Sequence, residues 1–217
     1  MYRTVVLVVL VAVAGCAGAG DGAGTPTETP PIRATAAPAT LAPAVAEATG
    51  YARRRADAPP LNTTVTARIE GDVTLQTTRR VRARTARRVY VRETSAGPAV
   101  VGLYAVPAVN PFENADLRKN PAAGLSPPTL AIRAQTVYAD VRDVSQSGER
   151  SVAMLGNGTT LTTYRATATD DGGSRAVAVA VATVAHGGDY VTIVVVTPAG
   201  RTAPLDRLFG AVRHRKG

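Results

Sequence analysis

The sequence Val13-Ala14-Gly15-Cys16 is the segment whose residue types and spacing most directly indicate chemistry. It ends an apolar run from Thr4 to Ala14 that follows Arg3, and Cys16 is the single cysteine of the chain. A charge, a short apolar run and small residues, in that order, are typical of a secretory signal peptide, and the run is shorter than the roughly 20 apolar residues that cross a bilayer. The position of the thiol predicts a signal peptide over residues 1–15 and lipid attachment at Cys16. An ordinary signal peptide with a chance cysteine is the alternative.

Arginines recur with a period of two in the segment TTRRVRARTARRVYVRE. The residues of one parity, which we call the arginine stripe, are Arg80, Arg82, Arg84, Arg88 and Arg92. Alternate residues of a strand point to opposite faces, so an extended chain would place the stripe on one face, where it would contact phosphates, anionic lipid headgroups or acidic glycans. The alternative is a solvated outer face of an edge strand, where charge prevents pairing with another sheet.

Residue types for catalysis or metal binding are scarce. The two histidines are expected to be solvated, His186 in a His-Gly-Gly-Asp turn and His214 in a basic tail over residues 214–217. Zinc or copper sites take more His or Cys ligands than these, so we expect no metal, no cofactor and no catalytic residue. The sequence Asp170-Asp171-Gly172-Gly173 lacks the spaced oxygen ligands of a calcium loop and indicates a hairpin turn.

Four other acidic residues keep an enzyme open as an alternative, because folding alone would decide whether they converge. They are Asp116, Asp140, Asp143 and Glu149. Nucleic acid is not expected as a partner, although the formal net charge is +9, because Trp is absent and only Tyr90 lies within the stripe for stacking. Two sequons, at Asn62 and Asn157, are candidate N-glycosylation sites.

Composition divides the chain into a tether and one domain. Residues 16–43 are rich in Ala, Gly, Thr and Pro with little large apolar surface, which predicts a disordered low-complexity tether. Residues 44–213 are predicted to form a single domain, which must be held by its core because no disulfide is possible within one chain. A short helix is expected after Pro43, a second from about Pro128 to Tyr138 with a cap at Ser126, and a third around 205–212.

Strand patterns fill most of the remainder. Alternation predicts a hairpin that turns at Glu70-Gly71-Asp72, and a further strand from Pro98 to Val109, which Pro107 confines to an edge or bulge at its end. Four meander strands follow, at 151–155, 160–169, 175–185 and 190–197. Since the last two are apolar on both faces, we expect them to be central and covered on each side. The predicted class is α+β, a mainly antiparallel sheet of about six to seven strands covered by two or three helices; the alternative is an all-β sandwich without the middle helix.

Several short sequences resemble those of an uncharacterised family of haloarchaeal lipoproteins. They are the lipid-attachment box and tether, EATGY, VNPF after a strand, and ERSVAMLGNGTTLTTYRATATDDG before two long strands. The order of elements is also similar, at the level of fold, to the α/β/α sandwich of the photosystem II extrinsic protein and Mog-type domains. The resemblance implies an archaeal lipoprotein and brings no catalytic residues. The strongly basic charge departs from the acidic composition usual in haloarchaeal proteins.

These observations favour a lipid-anchored protein on the extracellular side of the cell membrane, attached through Cys16, that binds or scaffolds an unknown surface partner without catalysis. The first alternative is an extracytoplasmic binder of small ligands, anionic polymers or lipid headgroups through the arginine stripe. The second is an enzyme with an unrecognised carboxylate site.

Overall fold

The structure is a computed structural model that describes residues 29–113 and 115–215. The predicted signal peptide, Cys16 and the first part of the predicted tether, up to residue 28, lie outside these residues. In the described part of the chain, no helix is long and apolar enough to cross a membrane.

The described chain forms twelve strands and three short helices. The strands are β1 (Ile32–Thr35), β2 (Ala39–Leu41), β3 (Ala52–Asp57), β4 (Pro60–Ile69), β5 (Leu75–Arg84), β6 (Ala86–Arg92), β7 (Ala99–Pro107), β8 (Asp140–Met154), β9 (Asn157–Asp170), β10 (Gly173–His186), β11 (Asp189–Pro198) and β12 (Val212–His214). The helices are α1 (Pro43–Ala48), α2 (Pro127–Ala134) and α3 (Leu205–Gly210).

The main sheet is antiparallel and contains seven strands in the order β3-β6-β7-β11-β10-β9-β8. A small sheet of three strands, in the order β1-β5-β4, and a pair of β12 with β2 complete the strand pairing. Strands β10 and β11 lie inside the main sheet, as predicted from their apolar sequences. Ile193 and Val194 point to opposite faces of β11, and both are fully buried.

Each face of the main sheet has its own cover. On one side, the core includes Leu41, Ala46, Leu208 and Val212, which come from β2, α1, α3 and β12. We call this the α1 side. On the other side, the small sheet and α2 pack against the main sheet. The three predicted helices therefore exist and cover the sheet, but the small sheet also covers it.

The fold is predominantly β rather than a balanced α+β arrangement, which corrects the predicted class. Helix α2 begins after Ser126, whose hydroxyl accepts a hydrogen bond from the N–H of Thr129 at 3.4 Å, but it ends at Ala134 instead of near Tyr138. The buried Gln135 ends it, because Oε1 accepts hydrogen bonds from the N–H groups of Val137 and Tyr138. Those N–H groups are then not available to continue the helix.

The ordered chain begins earlier than predicted, because β1 and β2 fall inside the range 16–43 assigned to the tether. Strand β1 pairs in parallel with β5, and β2 pairs with β12. The sequence does not mark these segments as strands, because alanine and threonine make up four of their seven residues. Ala39 and Leu41 are nevertheless buried. The predicted basic tail is also wrong at its start, because His214 is the buried last residue of β12.

The remaining strand predictions are confirmed in kind and corrected in extent. Strands β4 and β5 form the predicted hairpin, and β8 begins at Asp140, eleven positions before its predicted start at Ser151. Pro107 ends β7, which is an interior strand. The pairing of β6 with β7 stops at Ala105, so at Pro107 only β11 lies beside β7. The N–H that proline lacks is therefore not required for a hydrogen bond to β6.

Candidate functional site

The arginine stripe is divided between two sheets, because β5 ends at Arg84 and β6 starts at Ala86. Arg88 and Arg92 lie on β6 in the main sheet. Arg92 stacks over the ring of Tyr51, 5.1 Å from its centroid, and Arg88 donates to the carbonyl of Arg87 at 2.8 Å. The expectation of five arginines on one face is therefore wrong, since only the first half of the stripe shares a face.

That first half forms what we call the basic face, the outer face of the small sheet. Four of its arginines are Arg33 of β1 and Arg80, Arg82 and Arg84 of β5. Arg68 of β4 also points outward, near the β4–β5 turn, where it pairs with Glu70 at 3.4 Å. Arg33 and Arg82 occupy neighbouring positions in the parallel ladder, and Asn62 of β4 stands beside Arg82 on the other side. The alternate residues Val81 and Ala83 are buried against the main sheet, so the two-residue period of β5 sets this face.

Three arginines of the basic face carry positive charge without an acidic partner among the described residues. No Asp or Glu stands at an outward position of its three strands, and no ion pair within the described ranges involves Arg33, Arg82 or Arg84. Like charges on adjacent strands destabilise a sheet. Because β5 is the central strand of the small sheet, protection of an exposed edge does not explain its arginines. The arrangement suits the binding of an anion.

Both sequons are exposed. Asn62 is the third residue of β4 and lies on the basic face, so a glycan there would stand beside Arg82. Asn157 begins β9 after the Leu155-Gly156 turn, and its amide donates to the carbonyl of Leu155 at 3.3 Å. Their use for glycosylation stays a prediction.

A second site, which the sequence did not indicate, joins the two histidines. His186 Nδ1 lies 3.0 Å from His214 Nδ1, and the rings meet edge to face at 72° with centroids 5.3 Å apart. His214 was predicted to be solvated, but its side chain is fully buried, with 0% exposure, and His186 is half-buried. Antiparallel pairing of β2 with β12 on the α1 side places His214 over the end of the β10–β11 hairpin.

Asp189 completes this second site, which we call the His–Asp cluster. Its Oδ2 lies 3.0 Å from His214 Nε2 and accepts a hydrogen bond from the N–H of Ala37 at 2.8 Å. His214 Nε2 also lies 3.2 Å from the carbonyl oxygen of Ala37. Because both oxygens only accept hydrogen bonds, the proton belongs on Nε2 of His214. The lone pair of neutral His214 is then at Nδ1, directed toward His186.

The sequence of the β10–β11 turn could have predicted two members of this cluster. His186 and Asp189 are direct partners across the Gly187-Gly188 turn, in which both glycines have positive φ angles of 61° and 94°. Directly paired residues of an antiparallel ladder point to the same face, so His-Gly-Gly-Asp read as a two-residue hairpin turn brings the imidazole and the carboxylate together. Nothing in the sequence indicated the third member, because the pairing of His214 requires the tertiary position of β12.

A shallow cleft of about 480 Å³ opens beside the two histidines and is lined also by Leu155, Gly156 and Arg213. Across the described ranges, no group of three or more His, Cys, Asp or Glu side chains is arranged to hold a metal ion.

The remaining acidic candidates engage neighbouring residues. Asp116 pairs with Arg118, and Asp140 and Asp143 both pair with Arg142. Glu149 accepts a hydrogen bond from the hydroxyl of Thr162 at 3.3 Å.

The hairpin turn predicted from the sequence Asp170-Asp171-Gly172-Gly173 is formed at residues 171–172, between β9 and β10. Asp170, the last residue of β9, pairs with Arg175 at 2.7 Å.

Comparison with known proteins gives a family and no activity. A family model described as "Domain of unknown function (DUF6517)" matches residues 38–213. No curated protein and no solved structure matches the chain. The expectation of an uncharacterised family is confirmed in this general form, while the resemblances to haloarchaeal lipoproteins and to the photosystem II extrinsic protein stay predictions. Since the match covers nearly all of the folded chain, the protein belongs to the DUF6517 family.

Proposed function

We propose that this chain is a lipid-anchored protein on the extracellular side of the cell membrane, and that its basic face binds anionic lipid headgroups. The role is binding rather than catalysis. The observation that carries it is the unpaired guanidinium groups of Arg33, Arg82 and Arg84 on one face with no acidic residue at its outward positions. Guanidinium groups donate in a fork that matches phosphate oxygens, which suits a phospholipid headgroup.

The order of elements along the chain supports a membrane surface as the partner. Cys16 lies sixteen positions before Ile32, the first residue of β1, and β1 belongs to the sheet that carries the basic face. A chain of this length reaches at most about 55 Å, so lipid on Cys16 would keep the basic face near the headgroups. Each arginine near an anionic surface contributes about 1 kcal/mol, and the tether raises the local concentration of the surface.

Vesicle sedimentation tests the headgroup binding. The protein would be residues 16–217 with Cys16→Ser, so that neither the signal sequence nor a lipid contributes. We expect it to sediment with phosphatidylcholine vesicles that contain phosphatidylglycerol, to remain in solution with phosphatidylcholine alone, and to be released by salt. The double variant Arg82→Glu/Arg84→Glu should lose this binding.

A charge-matched control uses Arg53→Glu/Arg54→Glu, because both residues are exposed on β3 in the main sheet and make the same change in net charge. If the two double variants lose binding equally, net charge alone is responsible and the basic face is not a site. Binding to a soluble anionic polymer without binding to vesicles would contradict the choice of headgroups.

Lipid attachment is tested separately in the native membrane. Mass spectrometry should show an N-terminus at Cys16 that carries lipid, and Cys16→Ser should release the protein from the membrane fraction. An intact Met1 or an unmodified thiol would overturn the anchor while leaving the vesicle result independent.

A further inference from the structure

We propose that His186 and His214 form a two-imidazole binding site for Cu²⁺. The site lies on the α1 side of the main sheet, away from the basic face, and does not depend on the proposed lipid binding. The two residues are the only histidines of the chain, and the fold brings their Nδ1 atoms to 3.0 Å from one another.

This separation is short enough for both nitrogens to bind one metal ion. Two nitrogen ligands about 2.0 Å from a metal stand about 2.8 Å apart when they are adjacent in a square plane, and about 3.3 Å apart in a tetrahedron. The distance of 3.0 Å between the Nδ1 atoms lies between these two values, so one metal ion can reach both nitrogens in either geometry. Square-planar nitrogen ligation is typical of Cu²⁺ and Ni²⁺, and Cu²⁺ binds most tightly among the divalent first-row metals.

Asp189 supplies the support that metal-binding histidines usually have. It accepts the Nε2 hydrogen of His214 at 3.0 Å and is itself held by the N–H of Ala37. This contact fixes the orientation of the ring and leaves Nδ1 as the ligand atom. Its negative charge also offsets part of the cost of placing a cation beside a buried ring.

The cleft beside the pair provides room for the other ligands. The cleft has a volume of about 480 Å³ and is lined by both histidines. Two protein nitrogens are fewer than we expected a copper site to need, and the proposal requires water or an anionic donor to fill the two other equatorial positions. Arg213 lines the same cleft. Hydrogen bonds from its guanidinium to the carbonyls of Gly210 and Val212, each at 3.0 Å, hold this positive charge in place. A negatively charged co-ligand would be favoured near this guanidinium.

The competing interpretation is that the two rings only share a hydrogen bond between their Nδ1 atoms. Titration with Cu²⁺ distinguishes a metal site from a simple hydrogen bond between the rings. The protein would be residues 16–217 with Cys16→Ser, so that the single thiol of the chain does not compete for copper. We expect one Cu²⁺ per chain by isothermal titration calorimetry, an electron paramagnetic resonance spectrum with nitrogen ligation, and a raised unfolding temperature with Cu²⁺.

Three variants define the site. His186→Ala removes a half-buried ligand and should abolish the spectrum and the rise in unfolding temperature. Asp189→Asn should weaken Cu²⁺ binding by about 10- to 100-fold, as for other outer partners of metal ligands. Asp171→Asn, in the exposed turn at the other end of the β9–β10 hairpin, should bind as the parent does. If the parent binds Cu²⁺ no more tightly than His186→Ala does, the rings share only a hydrogen bond and the proposal is overturned.

Discussion

Oδ2 of Asp189 lies 3.0 Å from Nε2 of His214, and the two buried side chains join the start of β11 to the last strand of the fold. The same carboxylate oxygen accepts the N–H of Ala37, between β1 and β2. One carboxylate therefore ties both ends of the described chain to the main sheet.

Replacing Asp189 by Asn should destabilise the protein. Both hydrogen bonds end on Oδ2, so the amide oxygen of Asn can still accept them, but without the negative charge that strengthens them. We expect the free energy of unfolding to fall by about 1–2 kcal/mol, since a hydrogen bond to a charged group contributes about 1.5–3 kcal/mol and one to a neutral group about 1 kcal/mol. Urea denaturation measures this loss. Asp171→Asn, in an exposed turn, is the matched control, and equal stability of the two variants would contradict the role of Asp189.

Gly102 of β7 is a second point on which the packing depends. A Cβ atom there would lie 2.7 Å from the carbonyl carbon of Ala134 and still closer to its oxygen, at the end of α2. Gly102→Ala should therefore push α2 from the main sheet and lower the free energy of unfolding by about 1–3 kcal/mol, as overpacking of a core does.

Gly158→Ala provides the control for this substitution, because a Cβ atom at Gly158 of β9 meets nothing within 4 Å. Thermal unfolding of both variants should show a lower midpoint for Gly102→Ala alone. An unchanged midpoint for Gly102→Ala would show that α2 moves without cost.

Asp57 should make stability depend on acid pH. Hydrogen bonds from Arg87, at 2.8 and 2.6 Å, are the main cause that lowers the pKa of Asp57 from 3.8 to about 2, and Arg55 adds to it. A carboxyl with a lowered pKa stabilises the fold above its unfolded pKa, and this contribution is lost as the pH falls through the folded pKa. The relevant range therefore runs from about pH 4 down to about pH 2.

Asp57→Asn should cost about 1 kcal/mol near neutral pH, since solvent screens a surface pair, and the difference from the parent should shrink across that acid range. Denaturant unfolding at several pH values measures it. Asp116→Asn is the control, because its pair with Arg118 is largely exposed, at 78% for the Asp116 side chain. A difference that stays constant down to pH 2 would show that the ion pair is not its source.

Local patterns in the sequence were sufficient for much of the main sheet. The apolar runs of β10 and β11 predicted two interior strands, and glycine-rich turns marked the ends of the meander. Ser126 with the two prolines after it located the start of α2. These predictions succeed because a strand period, a turn and a helix cap each depend on a few adjacent residues.

Strands β1 and β2 were beyond the reach of such patterns. Alanine and threonine make up four of the seven residues of β1 and β2, and both are common in the low-complexity sequence around these strands. The two strands become ordered because they pair with distant strands, β5 and β12. The break of the arginine stripe after Arg84 likewise follows from β5 and β6 joining different sheets.

The sequence by itself determined the alternation of Val81 and Ala83 with the arginines of β5, the apolar interior strands and the hairpin that carries His186 and Asp189. Only the tertiary structure decided that Arg33 joins the arginines of β5 and that His214 is buried beside Asp189. Alternation and turns are set by neighbours along the chain. Contacts between β1 and β5, or between β12 and the main sheet, are set by which surfaces remain to be buried once the main sheet has formed.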